Sequence, residues 1–228
     1  MSLITNFIGK PLNITLGIAG LVGIVWLILC RDRLRMHWAA SVPLSAGLVV
    51  YSVYAVKLFA LIEAGFDISK SGGMSLYGVP FFTPILLFAG AKAAKRPTTE
   101  IFDIFTVNTV LICMGGRANC FFYGCCIGVE IPGTSFRVPT REIEMVFYFL
   151  LLLYLVPRVY KKQTHGAAFP IYMAGYGLLR FVLEFFRNTN FDTVFHPAHF
   201  WSLLCAVMGL SFISTIYGDA RRRGHRSV

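Results

Sequence analysis

The chain has 228 residues, of which 56% are hydrophobic and 14% charged, where a soluble domain averages roughly 45–50% and about 25%. A single water-facing core of this size can hide only part of so much apolar surface, which excludes an ordinary soluble globular protein. The net charge of +10 comes from short basic clusters that each follow an apolar run, the pattern of membrane flanks and not of a nucleic-acid-binding face.

A helix needs about 20 mainly apolar residues to cross the hydrocarbon core, and seven windows qualify. The first, 13–30, has no small-residue cleavage pattern after it and is expected to stay in the membrane; Arg31, Arg33 and Arg35 follow it. Windows 38–62 and 76–92 come next, the latter ending in Lys92, Lys95 and Arg96. Windows 101–117 and 142–158 follow, with Arg158, Lys161 and Lys162 at the end of the second. The last two are 166–185 and 197–217, trailed by Arg221, Arg222, Arg223 and Arg226. All four clusters fall on one side of the alternation, against Lys10, Lys70, Arg117, Arg137, Arg141 and Arg187 on the other. The positive-inside rule therefore predicts an all-α polytopic integral membrane protein. It has one domain over 1–228, seven transmembrane helices, the N-terminus outside and the C-terminus cytoplasmic.

The charges inside or beside these windows crowd into the outer half: Arg117, then Arg141, Glu142 and Glu144, then Arg180, Glu184 and Arg187. A charge at a helix centre costs about 2.5–3.5 kcal/mol on insertion scales, so such groups line a protein interior or a wet cavity. One polar site opening outwards is expected. In GYGLLRFVLEFFR (175–187) Tyr176, Arg180 and Glu184 recur every four residues and Arg187 follows three later, which puts all four on one helix face. Arg180 offers a permanently charged fork suited to phosphate, with Glu184 orienting it and Tyr176 adding a hydroxyl. The plainer alternative is an Arg180–Glu184 pair that only neutralises itself within the bundle.

GGRANCFFYGCCIG (115–128) is too glycine-rich and polar to continue the fourth span, which predicts non-helical backbone lining a cavity, with Gly116 and Arg117 close to a ligand. Its Cys120, Cys125 and Cys126 have a C-x4-C-C spacing that matches no common zinc or iron–sulfur signature. Thiols made reactive by Arg117, a disulfide, and passive packing all remain open. Residues 66–80 bring Gly72, Gly73 and Gly78 around Tyr77, either a site residue or part of the interfacial aromatic belt. His196 and His199 stand three apart with no third ligand, so no metal site is expected. Glu100 and Asp103 favour the helix dipole at the opposite end, and Cys30, Cys113 and Cys205 read as small hydrophobes.

In order, GGMSLYG (72–78), GGRANCFFYGCCIG (115–128), RVPTREIE (137–144) and GYGLLRFVLEFFR (175–187) resemble the bacterial prolipoprotein diacylglyceryl transferase family, with a weaker HFWSLLCAVMG near the end. The resemblance covers about residues 65–215. It implies a multi-pass enzyme of the bacterial inner membrane whose active site opens to the outer side. Such an enzyme moves a diacylglyceryl group from phosphatidylglycerol, or a similar anionic phospholipid, to a lipoprotein cysteine thiol and releases glycerol phosphate, with no cofactor. By motif position Arg117 and Arg180 embrace the lipid phosphate, Tyr176 and Glu184 match the family's residues on the same helix, and Glu144 and Arg137 match the ends of its R-x-P motif. Tyr77 stands where the family has a histidine often proposed as the base, and Cys120 and Cys125 where it has asparagine and glutamate.

The expected catalytic set is Arg117, Arg180, Glu184, Tyr77 and Glu144, with Glu144 or Glu184 favoured over Tyr77 as proton acceptor. Tyr176, Arg137, Arg187, Gly73, Gly116, Cys120 and Cys125 are expected to bind substrate. Two other readings stay open: a variant with a sugar, amine or lipid as acceptor, and a phospholipid-binding or transport protein without chemistry.

Overall fold

The computed structural model describes residues 12–67, 73–131, 133–187 and 195–225. Each apolar window forms one long helix: α1 Leu12–Leu29, α2 Ser41–Glu63, α3 Gly78–Ala93, α4 Thr98–Tyr123, α5 Thr140–Tyr160, α6 Ala168–Glu184 and α7 Pro197–His225. A single helical turn, Arg31–Leu34, and a 3-10 turn, Trp38–Ala40, join α1 to α2. Among the described residues there is no strand, only two isolated bridges. Gly72 lies outside the described residues.

By length and composition, Trp38–Glu63, Thr98–Tyr123, Thr140–Tyr160 and Pro197–Gly218 can cross a membrane, while Ile14–Leu29 and Gly78–Ala93 are shorter apolar helices. The surface fits that solvent. Leu21 and Val25 on α1, Phe149, Leu150 and Leu153 on α5, and Leu203 and Val207 on α7 are each more than half exposed. So much exposed apolar area would cost about 25 cal/mol per Å2 in water.

α4 is the hub. It packs against α1, α2, α3, α5 and α6, and 78% of its apolar window is buried, against 22–33% for the other three candidate spans. One expectation is corrected here: α4 does not end at Arg117 but runs through GGRANC to Tyr123. Glycine costs a helix about 1 kcal/mol relative to alanine, yet small residues let membrane helices approach closely. A Cβ on Gly115 would stand 3.0 Å from the Thr15 carbonyl oxygen and 3.1 Å from the Ala19 side chain, so that position admits α1. The same device joins α6 to α7, where a Cβ on Gly177 would fall 2.6 Å from the Ser202 carbonyl oxygen.

At the far end from the acidic and basic cluster of α6, Arg33 pairs with Glu100 at 3.7 Å and donates to the Val159 carbonyl at 2.5 Å. Asp103 does more than face the dipole of its own helix. Its carboxylate accepts from the backbone N–H of Gly166 at 2.8 Å and of Ala168 at 3.1 Å, which caps α6. Asp103→Ala would leave two buried donors unpaired, so we expect a loss of about 1–3 kcal/mol, read as a lower Tm of the detergent-solubilised protein. An unchanged Tm would show that the cap carries no stability.

Candidate active site

At one end of the bundle the last turns of α2, α4 and α6 meet the first turns of α3, α5 and α7. The helical repeat of α6 places Tyr176, Arg180 and Glu184 on one buried face, as the sequence predicts, at 0%, 3% and 4% exposure. Arg180 donates through Nη2 to Glu184 Oε2 at 2.9 Å and through Nη1 to Glu144 Oε1 at 3.0 Å. Glu144 in turn holds Arg117 Nε at 2.5 Å through Oε2, and Arg187 Nη1 stands 3.6 Å from Glu184 Oε2. The five groups form a ladder, Arg117–Glu144–Arg180–Glu184–Arg187, with a formal charge of about +1 from three guanidinium and two carboxylate groups. Charges this deeply buried persist only when paired; the ladder supplies the partners and leaves one positive charge over.

A cavity of about 660 Å3 opens on this ladder. Arg117, Arg180, Arg187, Tyr77, Gly73, Gly116, Cys120 and Cys125 all line it, so most of the predicted substrate-facing residues do come together. Glu144, Glu184 and Tyr176 are not among the lining residues and stand behind the arginines. Both oxygens of Glu144 face arginine, Oε2 towards Arg117 and Oε1 towards Arg180. Tyr77 is held elsewhere: its hydroxyl donates to the Ala198 carbonyl at 2.9 Å and lies 2.5 Å from the Ser202 hydroxyl. Its ring lies under the Arg180 guanidinium, 5.4 Å from carbon Cζ to the centroid.

Arg137 does not line this cavity. It pairs across an isolated bridge with Glu130, its guanidinium 3.5 Å from the Glu130 carboxylate and half exposed. Residues 128–131 run back against 136–138, with Gly128 N–H donating to the Val138 carbonyl and Ile131 N–H to the Phe136 carbonyl. Arg137 is exposed, whereas Thr140 and Glu144, which open α5, are buried.

The turn after α4 gathers three cysteines. The Cys120, Cys125 and Cys126 sulfur atoms lie within 4.8 Å of one another, and all six cysteines of the chain are free thiols. In the connection beyond α4, the Cys120 thiol and the positive field of Arg117 and Arg187 hold the Cys126 thiol well below its ordinary pKa, while burial pushes Cys125 up. His199 is buried with Nδ1 accepting from the His196 N–H at 3.1 Å and its ring against Phe185 at 4.4 Å, the surroundings of a packed core residue.

Two lining residues escape the sequence reading. Asn119 is buried with Oδ1 unpartnered, and Glu63 at the end of α2 reaches the cavity wall beside Ser75. Glu63 carried one available signal, a lone carboxylate closing an apolar run at the predicted outer end. Asn119 carried none beyond its neighbour Arg117.

The fold and this site define a helical membrane protein with an arginine-lined cavity at one end of its bundle. The family model for prolipoprotein diacylglyceryl transferase matches residues 36–215, and the chain belongs to that family. Similar proteins include the phosphatidylglycerol–prolipoprotein diacylglyceryl transferase of Clostridium tetani (strain Massachusetts / E88), 26% identical over 154 residues that cover 60% of this chain and 62% of that protein. A second transferase of that name, from Clostridium perfringens (strain 13 / Type A), is 30% identical over 51% of each chain. The Chlorobaculum tepidum protein of the same name is 25% identical over 70% of this chain and 60% of its own length. The chain thus spans about half to six tenths of the length of these relatives.

Proposed function

We propose that this protein transfers a diacylglyceryl group from phosphatidylglycerol to the cysteine thiol of a prolipoprotein, with release of glycerol phosphate. The observation that carries the proposal is the arginine ladder facing the cavity: its surplus charge of about one complements a phosphodiester monoanion, and the lipid-facing surface around it delivers that substrate. The names of the relatives point to the same donor and acceptor.

The acceptor sulfur attacks the glycerol carbon that bears the phosphate ester. A C–S bond forms, the C–O bond breaks, and its electron pair leaves on the phosphate as glycerol phosphate. Arg117, Arg180 and Arg187 stabilise the charge that gathers on the departing oxygens, where preorganised cations in low dielectric act most strongly. Glu144 and Glu184 hold those cations in place. The acceptor thiol must lose a proton, and Glu63 is the lining carboxylate outside the ladder, which assigns it the role of proton acceptor. Tyr77, with its hydroxyl tied to α7, positions Arg180.

These two roles separate by pH. Glu63→Gln should lower turnover roughly 100-fold near neutrality, with the deficit shrinking as pH approaches about 8.5, where a thiol ionises unaided. Tyr77→Phe should leave the shape of the pH profile unaltered. A pH profile displaced by Tyr77→Phe and untouched by Glu63→Gln would reverse the assignment.

The seven helices are proposed as seven membrane spans with the N-terminus outside, the C-terminus in the cytoplasm, and the cavity opening outwards from the bacterial inner membrane. The basic clusters around Arg33, Lys92 and Arg158 support this, because they fall at helix ends opposite the ladder. The reaction itself is tested with purified protein in phosphatidylglycerol vesicles, with and without a lipobox peptide, following glycerol phosphate release and peptide mass. Release coupled to a diacylglyceryl mass gain, abolished in Arg180→Ala, is expected. Lipid binding without release would refute the reaction, and release independent of peptide would refute the acceptor.

A further inference from the structure

The cysteine cluster at the cavity wall takes no covalent part in the transfer chemistry. A thiol there cannot carry the diacylglyceryl group between substrates, because the thioether formed would have to break a C–S bond with a thiolate as leaving group. Its geometry points elsewhere. Three sulfur atoms within 4.8 Å of one another lie close to the separation of about 3.8 Å that three thiolates take around a tetrahedral ion with metal–sulfur bonds of about 2.3 Å. Small side-chain rotations bring them together.

The backbone that carries them is fastened at each cysteine. Arg141 at the start of α5 donates through Nη1 to the carbonyl oxygens of both Cys120 and Cys125, at 3.2 Å each. Thr140 donates through Oγ1 to the Cys126 carbonyl at 2.9 Å. The Arg141 guanidinium is itself seated on the Phe121 ring at 5.0 Å. Cys126 adopts a left-handed backbone, φ 60°, uncommon for a non-glycine residue; strain of this kind persists where surrounding contacts over-determine it. Outer contacts that fix ligand orientation are a regular feature of metal centres.

We propose that Cys120, Cys125 and Cys126 form a three-thiolate site for a soft, thiophilic cation such as Zn2+, Cd2+ or Cu+, with the remaining coordination position open to the cavity. Soft thiolate ligands with no carboxylate or imidazole in the cluster select these ions over Mg2+ or Ca2+. Binding forms three metal–sulfur bonds, and each thiol not already ionised gives its proton to bulk water. No electron moves. A divalent ion with three thiolates has a net charge of −1, which Arg187 and Arg117 on the same cavity wall offset.

Cadmium is the direct probe, because its thiolate complexes have an ultraviolet charge-transfer band. Titrating Cd2+ into the reduced full-length protein in detergent should produce that band, saturating at one equivalent, with three thiols lost to a thiol reagent. Cys120→Ser, Cys125→Ser and Cys126→Ser should each weaken binding by roughly 100-fold or more, and Zn2+ should displace Cd2+ while Mg2+ should not. Cys30→Ser and Cys205→Ser, in other parts of the bundle, should leave the titration unchanged. Circular dichroism of each variant separates lost ligands from lost fold. A band that survives the triple serine variant, the absence of a band in folded protein, or a disulfide within the cluster of protein purified without reductant would each overturn the site. None of these readouts depends on transferase activity.

Discussion

Glu144→Ala is expected to destabilise the detergent-solubilised protein by about 3–5 kcal/mol, the cost of removing one partner from a buried ion pair. Glu144 is 1% exposed and stands between Arg117 and Arg180, with one oxygen for each. Its loss takes one of two carboxylate partners from Arg180 and the carboxylate partner of Arg117, both of them buried guanidinium groups. Arg180 keeps Glu184, but Arg117 keeps no carboxylate among the described residues. The damage is in the surviving cation, so Arg117→Met combined with Glu144→Met should cost less than Glu144→Ala alone. Equilibrium or thermal unfolding of the three variants decides it. A near-neutral Glu144→Ala, or a double variant worse than the single one, would show that the ladder does not hold these helices together.

The parts of this arrangement visible in the sequence are those carried by one element. Hydrophobic windows locate all seven helices, because apolar length is a property of each segment alone. The i, i+4 spacing of Tyr176, Arg180 and Glu184 likewise needs only a helix to become a face. The extension of α4 to Tyr123 was hidden because propensity treats a glycine pair as a break, and only contact with α1 makes Gly115 an advantage. The bridging role of Glu144 required knowing that α5 passes between two arginines contributed by different helices. Arg137 shows the complementary case: seven residues from Glu144 in sequence, it pairs with Glu130 outside the cavity, in a fold-back that hydrophobic patterning does not record. The cysteine cluster has no linear signature, since Cys120 meets Cys125 and Cys126 only when the chain reverses after Tyr123.

Arg180→Lys should lower the rate of glycerol phosphate release by roughly 100- to 1,000-fold while retaining the fold. Charge is not what the substitution removes. Arg180 spends Nη1 on Glu144 and Nη2 on Glu184 and keeps its buried Nε–H without a hydrogen-bond partner while lining the cavity. One planar group therefore spans two carboxylates while lining the cavity, whereas the lysine ammonium is a single point on a flexible stem. Lysine drawn to either carboxylate leaves the phosphate; drawn to the phosphate, it leaves the carboxylates unpaired. The charge on the leaving oxygens grows towards the transition state, so the loss should fall mainly on kcat, with a smaller change in KM. Steady-state release measured across a range of phosphatidylglycerol content separates the two. A lysine variant with kcat within about threefold of the parent, a difference under 1 kcal/mol in barrier, would mean that simple positive charge suffices and that the forked geometry of Arg180 is structural only.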